Sequence, residues 1–138
     1  MKFRPSKTII VCRKLTIKDP DGVSEEVSEA FVDMKVFRQS EIDTFFENLR
    51  KMPERGDETD EAWARVLSDK LKAVNQPNVE LLKAMIVGWP DDSGIEDEDG
   101  KPLPFSPAAL ANLLDHPWAV VAGMDAYHRS IGSVRAGN

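Results

Sequence analysis

Gly88-Trp89-Pro90-Asp91-Asp92-Ser93-Gly94-Ile95-Glu96-Asp97-Glu98-Asp99-Gly100-Lys101-Pro102-Leu103-Pro104-Phe105-Ser106-Pro107 is the stretch whose reading decides the architecture. It sets six carboxylates, Asp91, Asp92, Glu96, Asp97, Glu98 and Asp99, between Trp89 and Phe105, and its four prolines and three glycines keep it from being one regular element. A connection of that length is uncommon inside a compact domain unless it has work to do, either as a ligand loop or as a shaped crossover.

The ligand reading fails on spacing. Ca²⁺ takes six to eight hard oxygen ligands, and a twelve-residue EF loop needs a glycine at its sixth position. With Gly100 there, Ile95 takes the first ligand position and Ser106 the bidentate one; with Gly94 there, Trp89 and Gly100 do. Neither register has a carboxylate where it matters most. The acids read instead as a solvated turn around Glu98-Asp99-Gly100-Lys101, in a connector over 90–105.

Upstream of the connector, Val79, Leu82 and Ile86, with Met85 and Trp89, predict a helix capped by Asn78 and ending near Gly88. Downstream, Ser106-Pro107 combines a capping hydroxyl with proline at the first helical position, and Leu110, Leu113 and Leu114 form the stripe of a short helix. Pro117 opens a last helix through about Ile131. Trp118, Val121, Ala122, Asp125 and Arg129 lie on one side of it, and Val120, Met124, Tyr127 and Ile131 on another. A helix apolar on more than one side is either sandwiched in the fold or exposes a stripe for a partner.

Farther back, Ile42, Phe45, Phe46 and Leu49 give a helix over 41–51, with Ser40 as cap and Asp43 reaching back, stopped by Met52-Pro53. Trp63, Val66, Leu67, Leu71 and Val74 give another over 59–74, whose acidic start and basic end suit the helix dipole. The N-terminal region changes period. Thr8 to Ile17 and Ala30 to Arg38 alternate as strands, joined through Asp19-Pro20-Asp21-Gly22, a loop extending through Ser24-Glu25-Glu26. A hairpin alone is marginal in water, so this one must pack on helices, join further strands or pair with another copy. The expectation is an α+β single domain, 1–138. A β-hairpin of about 8–38, within subregion 1–38, packs with a helical body of about five helices over 39–131, and 132–138 form a flexible tail.

The totals narrow the function. The 138 residues carry a formal charge of −6, with eight Lys/Arg against six acids in residues 1–38 and ten against eighteen in the rest. A mostly acidic surface is a poor partner for nucleic acid. No apolar run approaches the ~20 residues of a membrane span, and no signal peptide opens the chain. The single Cys12 excludes an intrachain disulfide, suits a reducing compartment and reads as a small buried or half-buried hydrophobe. His116 and His128 are the only histidines. The first suits a helix junction, the second a surface position, and no ligand motif lies between them. Adjacent exposed acids lack the differentiated environments that acid/base chemistry needs. With no P-loop, dinucleotide fingerprint or nucleophile elbow, the reading is a non-enzymatic protein with no catalytic or metal residues and no cofactor.

Gly88-Trp89, Asp97-Glu98-Asp99-Gly100, Pro102-Leu103-Pro104-Phe105-Ser106, Leu113-Leu114 and Ala126-Tyr127 together form a pattern. Over about residues 79–131 the chain resembles the small tail assembly chaperones of long-tailed bacteriophages and prophages. In these a helix ending in Gly-Trp leads through an Asp-Gly turn to a Pro-Phe-Ser helix start and a Leu-Leu pair. The resemblance implies a virion-assembly role in the cytoplasm of the bacterial host, binding the tape measure protein and keeping it soluble. The tail tube protein and self-association are further implied contacts. Trp89, Phe105, Trp118, Met124 and Tyr127 are the candidate partner-binding residues. The competing expectation is a prophage-encoded interaction or regulatory module that binds another protein through the hairpin edge or the C-terminal helix. A divalent-metal module comes third.

Overall fold

The structure, a computed structural model, describes the backbone of residues 8–20 and 25–135 and the side chains of residues 8–19 and 26–129. The elements run β1 (Ile9–Pro20), β2 (Glu25–Val36), α1 (Gln39–Arg50), α2 (Asp60–Asn75), α3 (Pro77–Met85), β3 (Ile86–Gly88), α4 (Pro107–Leu114) and α5 (Pro117–Arg135). The fold is α+β, with a three-stranded antiparallel sheet of order β1-β2-β3.

Two compact units result, Met1–Val36 with Leu82–Asn138, and Phe37–Leu81. This division does not follow the expected partition into hairpin and helices, because β3 and the connector return the chain to β2.

In the sheet unit, β1 and β2 pair over their full length, from Ile9↔Val36 to Pro20↔Glu25. Alternation gives one face Leu15, Ala30, Val32 and Met34, all buried, and the other Ile10, Lys14 and Phe31, all exposed. Cys12 falls on the exposed face, so it is not the buried hydrophobe expected. β2 begins at Glu25 rather than Ala30. Its polar first residues carry no apolar alternation, but β1 lies opposite them and completes their ladder. Asp21 to Ser24 of the expected turn lie outside the described residues.

The helix expected to reach Gly88 ends at Met85, and Ile86–Gly88 form β3 instead. Ile86 stands opposite Met34 and Gly88 opposite Asp33, with an irregularity between. The free edge of β2 supplies backbone partners that continuing the helix would have left unmet. Leu82, Met85 and Ile86 are buried with Leu110, Leu114, Ala119, Ala122 and Ala126 of α4 and α5. A Cβ on Gly123 would lie 2.9 Å from the Leu82 side chain, so the small face of α5 permits a close approach there. α5 continues through Arg135, past the expected end near Ile131; residues 136–138 lie outside the described residues.

The connector is a built part of this unit. The Phe31 N–H donates to the Ser93 carbonyl at 2.8 Å, extending the cover of β2 beyond β3. Gly94 (φ +87°) follows, where a Cβ would come within 2.6 Å of the Glu29 carbonyl oxygen, so only glycine fits. Residues 95–103 then close a small hairpin, with Leu103 N–H donating to the Ile95 carbonyl at 3.0 Å and Asp97 N–H to that of Lys101 at 2.8 Å. At its tip the Asp97 carboxylate accepts from the N–H groups of Asp99 and Lys101. Side chain to backbone bonds of this kind are why aspartate favours turns.

In the unit Phe37–Leu81, Thr59 caps α2, its hydroxyl accepting from Ala62 N–H. The cap of α1 is Arg38 rather than Ser40, and Glu41 rather than Asp43 reaches back, its carboxylate accepting from the Arg38 N–H and Nε. Asp43 instead accepts from Gln39 Nε2. α3 starts at Pro77, one residue before the expected Asn78 cap, because proline's fixed φ suits the first helical position. The Lys70 ammonium donates to the Asn48 carbonyl at 3.0 Å, a second bond to an acceptor that also takes the Lys51 N–H at 3.2 Å where α1 ends.

Candidate functional site

Two surfaces stand out, one in each unit. In the sheet unit, an open groove of about 430 Å³ runs between β1 and α5, lined by Thr16, Lys18, Trp118, Val121, Ala122, Asp125 and Arg129. Its apolar floor is unusually bare, with Trp118 41% and Val121 66% exposed, while Ala122 below them is buried. Helical spacing places Trp118, Val121, Asp125 and Arg129 on one side of α5. Asp125 and Arg129 pair at 3.0 Å, an exposed i,i+4 bridge worth only a few tenths of a kcal/mol. Arg129 also reaches across to the Lys14 carbonyl, Nη2 donating at 3.4 Å.

In the helical unit, α1 carries Ile42, Phe45, Phe46 and Leu49 and α2 carries Trp63, Val66 and Leu67. All seven are half-buried, and no residue of either helix is buried. Phe45 and Phe46 meet edge to face at 5.3 Å. Leu71 and Val74 continue the α2 stripe into solvent, and a second open cavity of about 590 Å³ lies along Ala64, Leu67, Ser68, Leu71, Lys72, Asn75 and Gln76.

The candidate residues fall into three environments. Trp89 is only 7% exposed, its indole N–H donates to the Leu103 carbonyl at 2.7 Å, and Phe105 packs edge to face on it at 4.9 Å. That pair pins the ends of the connector hairpin to the sheet unit. Trp118 faces the groove. Met124 and Tyr127 are half-buried on another side of α5, where burial raises the Tyr127 phenol above its ordinary value of 10.0. The structure does not bring the five into one surface patch. His116 is a junction residue, its carbonyl accepting from Ala119 and Val120 N–H as α5 starts. His128 is exposed beside the Tyr127 ring.

The periodicity of α5 already grouped Trp118, Val121, Asp125 and Arg129. It could not add Thr16 and Lys18, because which strand lies beside α5 is a tertiary fact. Among the described residues no group of three or more His, Cys, Asp or Glu side chains is placed to hold a metal ion, and the connector's six acids are exposed. No helix among them is long and apolar enough to cross a membrane. No family model, curated protein or solved structure matches the chain.

Proposed function

We propose that the chain is a non-enzymatic tail assembly chaperone of a long-tailed bacteriophage or prophage. It binds the tape measure protein in the host cytoplasm and keeps its apolar surface from aggregating until tail tube subunits polymerise around it. The family reading comes from the resemblance across Gly88-Trp89, the Asp-Gly turn and Pro104-Phe105-Ser106.

The structural observation that carries the reading is the state of α1 and α2. Each holds a complete apolar stripe, and neither buries a residue. Such a stripe is what an amphipathic client helix needs in order to dock. Half-covered stripes also suit a chaperone that must let go, because modest affinity per site combined with several copies per client gives avidity without slow release.

Coexpression with the neighbouring large, helical open reading frame is the direct test. A soluble client that co-purifies with this chain supports the reading; a client that stays insoluble, with no complex, removes it. A gene position between the tail tube and tape measure genes is the expected genomic context.

A further inference from the structure

β1 is an edge strand twelve residues long, and among the described residues its one strand neighbour is β2. A long edge is a template for another strand unless something blunts it. Which of its backbone groups point outward follows from the ladder. Phe31 stands opposite Lys14, yet its N–H is turned away from β1, to the Ser93 carbonyl. Opposed residues of an antiparallel pair point inward together or outward together, so Lys14 points outward, and alternation adds Ile10, Cys12, Thr16 and Lys18. Pro20 takes the next outward place, where it has no N–H to leave unpaired.

Lys14 is the middle one of those outward residues, and its carbonyl is the one that Arg129 reaches, Nη2 donating at 3.4 Å. Neighbouring strands lie about 4.8 Å apart, so a guanidinium bonded to that carbonyl sits in the lane an added strand would follow. Asp125 holds it there, Oδ2 pairing with Arg129 Nε at 3.0 Å, and α5 packs along β1 to bring both side chains to the edge. Beyond the contact, the edge is left with Ile10 and Cys12 on one side and Thr16 and Lys18 on the other. Either run is shorter than the five or six residues of a usual strand.

Charge alone does not close this edge. Lys14 is bridged to Glu29 at 3.7 Å, so its charge is already answered. An antiparallel pairing of two β1 strands centred on Cys12 sets Ile10 against Lys14 and Val11 against Arg13, with no like charges opposed. In that register the Lys14 carbonyl of each copy would accept from the Ile10 N–H of the other. Arg129 occupies the same acceptor.

We infer that Arg129, positioned by Asp125, is a guard on the β1 edge that keeps two copies of the chain from pairing strand to strand. The contact is exposed and weak by itself. A symmetric pair must break it in both copies, however, so its effect counts twice. The guard lies apart from α1 and α2 and stands whatever the client is.

The test is sedimentation equilibrium of the full chain, under reducing conditions, over a range of concentrations. Arg129→Ala is expected to self-associate at a concentration at least about tenfold lower than the native chain does, with little change in melting. Lys101→Ala loses the same charge far from β1 in sequence, on the connector, and should behave as the native chain. Adding Cys12→Pro to Arg129→Ala removes an outward N–H at the centre of the pairing and no β1–β2 bond, so it should restore native behaviour, whereas adding Cys12→Ala should not. Amide exchange serves if the proline variant does not fold: in Arg129→Ala the Ile10 and Lys14 amides should slow as concentration rises. Native behaviour of Arg129→Ala, equal association of Arg129→Ala and Lys101→Ala, or extra association that leaves the Ile10 and Lys14 amides in fast exchange overturns the inference.

Discussion

In the sheet unit, Leu15, Val32, Met34 and Leu82 are at most 2% exposed, whereas in α1 and α2 the stripe Ile42, Phe45, Phe46, Leu49, Trp63, Val66 and Leu67 reaches only half-burial. Both regions have the apolar side chains of a core. The difference is in layers. The sheet unit lays helices on a strand face and folds its connector onto the open side of β2, while α1 and α2 have chiefly each other. A two-helix contact leaves part of each stripe in water, and a domain needs packed layers around one core to bury it. The sheet unit therefore closes its own core, and the helical pair leaves its stripe half-covered.

This contrast can be broken by four measurements, taken from the largest expected effect to the smallest. Trp89→Ala empties a buried site and removes both the bond to Leu103 and the Phe105 contact, so chemical denaturation should show a loss of about 3–5 kcal/mol. Gly94→Ala should cost about 2 kcal/mol or more, since a Cβ there meets the Glu29 carbonyl and φ is positive; a wild-type melting temperature would mean the turn is not held against β2.

Phe46→Ala in α1 should cost about 1 kcal/mol or less, because a half-buried ring recovers only part of its transfer free energy. The same variant should reduce client retention in a pull-down far more than it reduces stability. A loss as large as that of Trp89→Ala would show that α1 belongs to a closed core and erase the contrast between the units.

The smallest effect is at Tyr127. Burial disfavours the phenolate, so the folded-state pKa lies above the unfolded one. The corresponding stability is fully present below the ordinary value of 10.0 and is lost as pH rises through the folded value. Melting curves above about pH 10 should thus fall more steeply for the native chain than for Tyr127→Phe.

The sequence by itself determined the elements whose signals are local. Ser106-Pro107 starts α4 with the expected hydroxyl cap on Ala109 N–H, Pro117 opens α5, Pro53 bars continuation of α1, and the alternation of β1 identifies a strand. The α+β class follows from those signals alone. Three things depended on residues distant in the chain. Ile86-Val87-Gly88 continue a helical pattern and become a strand because the edge of β2 was open to them. Glu25 to Glu29 look like loop and become strand because β1 lies opposite. The candidate surface beside β1 likewise joins Thr16 and Lys18 to residues about a hundred positions away on α5, and no periodicity encodes that neighbourhood. Caps and periods are satisfied within a turn or two of chain and can be read from it. Backbone partners across a sheet edge, and the burial of a stripe, exist only once the other elements have taken their places.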